Sequence, residues 1–430
     1  MANLPVRDES EHTGPTPALQ QPVTPRLAKT LVGFVCLLLG LIGLEAARVY
    51  FIMPFPGSQL DDTANLDRVK ITYWLHQYGS WLRGAGIVVI LVLAYQLLFK
   101  SNRIGYRWLI GSSAIAYGAV LYMVNSKMMA DQMFRQPIHK LIVPLEQNKI
   151  PLNKLVLGYA ANGKATAYPL QLIGYHHQVR DTVGGMPIMV TYCTVCRTGR
   201  VFSPLVRGQA DEFRLVGMDH FNAMFEDSRT GSWWRQATGE AIVGPMRGEI
   251  LPGLTAQQMT LGEWAVSHPN TRVLQADSTF ADEFAAMKNY DKGLSKGKLT
   301  RRDSASWKPK SWVIGVQQGV VAKAYDWNLL QEKRVINDVV GGEPLVLMMA
   351  PDSASFGVWD RRTGGRSLNF RYANRRLTDL ETQSVWTWRG HCIAGPLAGQ
   401  QLGSIPKAYQ EFWHSWQSFH PQTKRYNLKH

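Results

Sequence analysis

The stretch Asp181-Thr182-Val183-Gly184-Gly185-Met186-Pro187-Ile188-Met189-Val190-Thr191-Tyr192-Cys193 decides how this chain is read. A Gly-Gly pair supplies the positive φ angles of a tight turn. The run Pro187–Tyr192 after it is short and bounded by turn signals, which predicts a strand rather than a helix. The phrase returns as Asp338-Val339-Val340-Gly341-Gly342, followed by Pro344–Met349, at an offset of 157 (338 − 181).

Working outward, the same offset carries Val156-Leu157-Gly158 onto Val313-Ile314-Gly315 and Ala167-Tyr168 onto Ala324-Tyr325. It also carries Pro187 onto Pro344 and Phe202 onto Trp359. Further on the register shortens: Thr230-Gly231-Ser232-Trp233-Trp234 falls on Thr382-Gln383-Ser384-Val385-Trp386 at 152 (382 − 230). Gly244-Pro245 recurs as Gly395-Pro396, and Trp264-x-x-x-His268-Pro269 as Trp416-x-x-x-His420-Pro421. So many ordered matches read as two copies of one unit, residues 151–300 and 301–430. A helical period is sustained only over Ala256–Ser267, Phe280–Lys288 and Lys407–Ser418. The expected fold is mainly antiparallel β with a few helices, an α+β domain of two internal repeats packed with approximate two-fold symmetry. A site is expected at their shared face. Trp233, Trp234, Trp386 and Trp388 read as core aromatics.

Ahead of this domain the chain reads as an α-helical membrane anchor. Residues 1–25 are rich in Pro, Thr and Gln and predict a disordered tail. Residues 26–125 contain three spans. The first is Leu31–Leu44, extending to Ile52; the second runs about Trp81–Phe99, and the third about Trp108–Val124. No pair of small residues marks a signal-peptide cleavage site, so the first span stays attached. Glu45 and Arg48 share a face of it and are expected at headgroup level. Lys100, Arg103 and Arg107 form a short basic loop, which the positive-inside rule places in the cytoplasm. The first loop carries Asp61, Asp62 and Asp67 and an amphipathic stretch, Ile71–Tyr78. Everything after a linker at 126–150 is then expected in the periplasm, at the inner membrane of a double-membrane bacterium.

The 430 residues carry a net charge of +15, yet without any run of five like charges. That balance suits a basic face toward anionic lipid or envelope polyanions and argues against nucleic acid. The expected partners are the lipid bilayer and envelope proteins.

The first copy contains Thr191-Tyr192-Cys193-Thr194-Val195-Cys196-Arg197-Thr198-Gly199; the second has Ala350 and Ser353 where the cysteines stand. A pair needed for folding alone would be expected in both copies, so this one reads as a dedicated site. Two sulfurs at this spacing reach one soft metal ion or each other. For copper or zinc, the further ligand candidates are His391, Cys392, His220 and the pair His176-His177, with Met189, Met218 and Met224 as soft donors. For a redox dithiol, Arg197 and Arg200 would lower a thiolate pKa. A short structural disulfide or two buried thiols is the third reading. His176, His177, Arg180 and Asp181 read either as an acid–base or ligand group or as polar surface residues leading into a turn. Asp219, His220 and Asn222 are placed to line a pocket or to pack in a core. No phosphate loop, nucleophile elbow or haem-attachment motif is present.

These motifs resemble a bacterial domain-of-unknown-function family, number 3179. The resemblance rests on His176–Gly185, on Val190-Thr191-Tyr192-Cys193-x-x-Cys196-x-Thr198 and on Asp227-x-x-Thr230-Gly231-Ser232-x-Trp234. It covers roughly residues 150–422. Many relatives carry Pro where this chain has Thr194 and a shorter polar segment in place of the double histidine. The resemblance implies one domain type in an envelope setting and supplies no activity. Soft-metal handling, thiol–disulfide exchange on envelope proteins and a non-catalytic assembly role all stay open.

Overall fold

The structure, a computed structural model, describes residues 25–53, 65–100 and 104–427. The tail up to residue 24, Asp61, Asp62 and Arg103 lie outside the described residues. Three helices, Pro25–Tyr50, Arg68–Phe99 and Ile104–Met128, are long and apolar enough to cross a membrane. Each exceeds its expected span, because helix continues through polar residues at the ends. The second begins at Asn65 and absorbs the amphipathic stretch Ile71–Tyr78; the third closes in a π turn, Val124–Met128.

The chain divides into two compact units, one holding the residues up to Glu45 with Gly79–Leu121, the other Ala46–Tyr78 and Tyr122 onward. Within the first unit Phe34, Ala94, Leu97 and Tyr106 form the core. Glu45, expected at headgroup level beside Arg48, is fully buried and takes two hydrogen bonds from Arg83 at 2.6 and 3.1 Å. A buried carboxylate requires such a partner.

The second unit is mainly β. In its first half Leu155–Ala161 pairs antiparallel with Lys164–Pro169, and a short helix, Leu170–His176, follows. The hairpin Gln178–Val183/Met186–Cys193 comes next and pairs onward with Thr198–Phe202. In its second half Trp312–Gln318 pairs with Val321–Asp326, then come the helix Trp327–Lys333 and the hairpin Val335–Val340/Glu343–Met349, which pairs onward with Phe356–Asp360. Both hairpins turn on glycines with positive φ, 57° and 82° at Gly184-Gly185 and 60° and 87° at Gly341-Gly342. That is the left-handed pair which a two-residue hairpin of favoured twist requires. Both helices end on a left-handed residue, His177 (φ 61°) and Arg334 (φ 66°).

Each half adds a further four-stranded sheet, Phe213–Asp219 through Ala241–Val243 and Phe370–Ala373 through Cys392–Ala394. Here one aspartate organises the turn. Asp227 accepts the Thr230 N–H (2.5 Å) and the Trp234 indole N–H (2.8 Å), as Asp379 accepts those of Thr382 (2.6 Å) and Trp386 (2.9 Å). Trp233, Trp234, Trp386 and Trp388 are buried, as expected.

Three helix expectations meet different outcomes. Phe280–Lys288 contains the helix Ala281–Ala286. The other two are strand first and helix second: Gln257–Thr260 pairs with Leu155–Gly158 before the helix Leu261–Ser267, and Ala408–Phe412 pairs with Trp312–Val316 before Trp413–Phe419. Pairing with a strand about 100 residues away overrides the local period. The helices at Leu170 and Trp327 are two turns each, too short to show periodicity. The segment 126–150, expected as a linker, contributes the strand Ile142–Pro144, which joins the sheet through Arg272–Leu274.

These returning strands position the site, because each meets the hairpin turn of the opposite half. The Phe412 N–H donates to the Cys196 carbonyl at 3.0 Å, and the Thr260 N–H donates to Ser355 Oγ at 2.9 Å.

Candidate functional site

Cys193 ends its strand, and residues 194–197 form the turn back to Thr198, with Arg197 left-handed at φ 56°. Both thiols are free and fully buried, packed among Met189, Val195, Phe202 and Phe221. The Cys193 thiol lies 3.4 Å from the Phe221 carbonyl and hydrogen-bonds Cys196.

The second half completes the surroundings. Lys310 donates its ammonium to the Val195 carbonyl at 2.6 Å and sits 4.8 Å from the centre of the Phe412 ring. Burial lowers Lys310 to about 8, although the two thiols favour its charge. His414 rests Nδ1 on the Pro309 carbonyl at 2.9 Å and packs its ring toward Phe221. Burial, with Lys310 adding to it, takes His414 down to about 3, so the imidazole is neutral. Its Nε2 is buried without a hydrogen-bond partner.

The two cysteines are driven apart in acidity. Burial alone would raise Cys193, but the hydrogen bonds from Cys196 and the Ala223 backbone, with the Lys310 charge, bring it below the ordinary thiol value. Burial and then the neighbouring Cys193 push Cys196 well above it. Of the two thiols Cys193 is thus the more acidic and Cys196 the less.

Behind the turn lies a polar layer that sequence reasoning missed. Arg197, named as a thiolate-lowering residue, donates to Gln410 Oε1 (2.9 Å) and to the Tyr290 and Asp291 carbonyls, with its guanidinium 3.8 Å from the Trp312 ring centre. Arg200 forms a buried ion pair with Glu411, and Ser415 joins Thr198 (3.2 Å) and Glu411 (3.0 Å). Lys310, His414 and Ser415 lie more than a hundred residues from the cysteines, in stretches without a motif.

The other expected site residues are dispersed. Cys392 belongs to the separate core around Trp359 and Trp386, and His391 is exposed on a bridge to Gln401. His220 bonds Asp219 at 2.7 Å, and Asp219 also pairs with Arg235; they stand at the turn that carries Phe221. Asn222 bonds Gln236 (2.8 Å) and the Ala237 N–H (2.8 Å), a packing role. His176 is held by the Arg135 carbonyl at 2.6 Å between Phe280 and Phe284, and His177 is buried against Phe134 and lowered by burial to about 4. Arg180 pairs with exposed Glu212, and Asp181 accepts the Tyr168 hydroxyl at 2.7 Å. Met189 and Met218 belong to the core around the cysteines, and Met224 to another. Among the described residues no group of three or more His, Cys, Asp or Glu is arranged to hold a metal ion.

Apolar N-terminal helices joined to a mainly-β domain with a buried Cys-x-x-Cys turn define the class of protein. Over residues 142–423 the chain matches the family described as a protein of unknown function, DUF3179, and it belongs to that family. No curated protein and no solved structure matches it.

Proposed function

We propose that this domain carries out thiol–disulfide chemistry, with Cys193 as the attacking thiolate and Cys196 as the resolving thiol. The observation that carries the reading is a pair of free thiols hydrogen-bonded to each other at one turn, with the Lys310 ammonium held on the Val195 carbonyl between them. Cys193 attacks a disulfide of an envelope protein; the S–S bond breaks and the departing sulfur takes a proton. Cys196 then gives up its proton and attacks the Cys193 sulfur, releasing the second partner thiol. Two electrons pass to the partner, and a Cys193–Cys196 disulfide remains. Because both sulfurs are buried, the exchange runs through a local opening of the turn.

A second reading is a copper or zinc site on the same two sulfurs. Among the described residues no third His, Cys, Asp or Glu joins them, and the Lys310 ammonium beside both thiols opposes a cation.

Two wider proposals frame the site. The matched element order, turn glycines and Asp–Trp contacts support two copies of one unit, at 151–300 and 301–430, related by an approximate two-fold axis. The basic loop with Lys100 and Arg107 supports a multi-pass inner-membrane protein with its β domain in the periplasm.

The deciding experiment equilibrates the membrane-embedded full chain with glutathione buffers and maps the disulfide by mass spectrometry. The reading expects a reversible Cys193–Cys196 bond, and slower alkylation of Cys193 in Lys310→Met. Thiols that react only on global unfolding would overturn it. A stoichiometric metal lost in Cys193→Ser would move the assignment to the second reading.

A further inference from the structure

The halves differ in the hairpin that reaches the cysteine turn. Phe213–Asp219 and Asn222–Asp227 are longer than their counterparts Phe370–Ala373 and Arg376–Asp379, seven residues against four and six against four. The register between the halves shortens from 157 to 152 over this hairpin, between Phe202 and Asp227.

The added length ends at the sulfurs. Phe221, in the turn, has its carbonyl 3.4 Å from the Cys193 sulfur, and its side chain is buried in the same core as both thiols. The turn therefore covers the cysteines. It is not built of residues that hold such a bend by themselves. His220 and Phe221 both have positive φ, 50° and 62°, the left-handed pair that a two-residue hairpin takes most easily with Asn-Gly. A residue with a Cβ is strained there, an aromatic one above all, so contacts outside the bend must keep it closed.

Two sets of contacts do so. Asp219 pairs with His220 and Arg235. The second set comes from the chain that borders the membrane-length helices. Phe213–Asp219 is the edge strand of its sheet, and its Met218 N–H donates to the Ile52 carbonyl at 3.0 Å. A Cβ on Gly217 would fall 2.8 Å from that carbonyl oxygen and closer still to the Ile52 side chain, so Ile52 lies directly on the strand. Ile52 is buried, and Met53 beside it packs against the core that contains the thiols. Both follow the helix Pro25–Tyr50, whose hydrogen-bond pattern runs on from Phe51 to Ala47 and from Met53 to Val49. The start of the next helix braces the same hairpin. Val69 and Tyr73 pack with Met224 and Trp233, and His76 bonds Glu226 at 3.1 Å.

We infer that Ile52 and its neighbours hold the Asp219–Asn222 turn closed over the thiols, so that a thiol or disulfide reactant reaches Cys193 when this contact is released. Met218, which Ile52 holds, stands only three residues before Phe221, which covers the sulfur. A shift at the end of the first helix is therefore passed to the sulfurs along a short length of strand. The inference rests on the thiol reading for its use to the protein, but its readout does not require exchange.

The test alkylates the detergent-solubilised full chain under native conditions and follows each cysteine by mass spectrometry. Cys392, buried in a separate core, reports any general loosening. In the parent, Cys193 is expected to react far more slowly than in the urea-unfolded chain. Ile52→Ala is expected to speed it about tenfold or more, with Cys392 unchanged. Gly217→Ala, which forces the strand and Ile52 apart, should act in the same direction. Ile52→Val, the mildest change, is expected to fall between Ile52→Ala and the parent, and decides the matter if the larger changes do not fold. The gate is overturned if these variants leave Cys193 as slow as in the parent, or if Cys392 accelerates in step with it. Acceleration without a reversible Cys193–Cys196 bond in glutathione buffers would keep the gate and overturn the exchange reading. A reversible bond whose thiols ignore Ile52 would do the reverse.

Discussion

The turn at residues 193–198 and the turn at 350–355 occupy the same register and are built by different means. Met189 faces Phe202 as Val346 faces Trp359, and each turn closes over four residues. In the second, Asp352 folds its carboxylate onto the Ala354 and Ser355 N–H groups at 2.9 and 2.8 Å. Local side-chain capping of this kind makes the bend without sulfur. In the first, two thiols, a half-buried lysine and the buried Arg197 fill the space. Making the bend therefore does not require cysteine, and the sulfurs need a chemical explanation.

The polar layer sharpens the contrast. Arg200 and Glu411 form their buried pair behind the cysteine turn, whereas Gly357 and Met259 stand at the matching positions of the other half. Removing one partner strands the other charge, so Arg200→Met is expected to cost about 3–5 kcal/mol in denaturant unfolding. Replacing both, as Arg200→Leu with Glu411→Met, should recover most of that loss. A double variant no better than the single would mean that Glu411 is held by Thr198 and Ser415 rather than by the arginine.

Equivalence elsewhere makes the opposite forecast. Asp227 and Asp379 accept the same backbone and indole donors, so Asp227→Ala and Asp379→Ala are each expected to cost about 3 kcal/mol. Costs differing more than twofold would break the match between the halves at this turn.

Acid should distinguish the halves again. His177 and Arg334 both end their helices left-handed, one with an imidazole and the other with a guanidinium. Burial lowers His177 from 6.5 to about 4. Between those values the unfolded chain binds a proton that the folded chain refuses. Stability therefore holds above pH 6.5 and falls as the pH drops toward 4, by up to about 3 kcal/mol from this residue. His177→Asn, which tolerates the left-handed backbone, should flatten that part of the stability profile. An unchanged profile would assign the acid sensitivity to His176 or His414.

Much of this organisation was legible because the contacts that repeat are made by residue types with narrow uses. A Gly-Gly turn, a Trp over a Gly and an Asp at a Thr-x-Ser turn leave marks in the chain itself. The cysteine box was legible for the same reason. Its partners were not: Lys310 lies in an aperiodic stretch just before the strand at Trp312, and His414 is one ring in an aromatic helix that follows the returning strand Ala408–Phe412. That strand was itself misread, since its apolar spacing suits a helix until a partner strand is present. Cys392, a thiol like the others, was drawn into the metal set by type alone, and the fold buries it in a different core.

The smallest forecast concerns the tryptophan cover over each first strand. A Cβ on Gly158 would come within 2.4 Å of Trp264, and one on Gly315 within 2.1 Å of Trp416. Neither glycine has positive φ, so the penalty for alanine is steric alone. Each indole is pinned, by hydrogen bonds to Thr271 and Thr423 at 2.8 Å and by rings stacked on His268 and His420. Overpacking against a pinned ring costs about 1–3 kcal/mol, with Gly315→Ala the worse of the two. Thr271→Val frees the first indole and should relieve Gly158→Ala specifically. If it relieves Gly315→Ala as well, the two covers are mechanically linked and do not act separately.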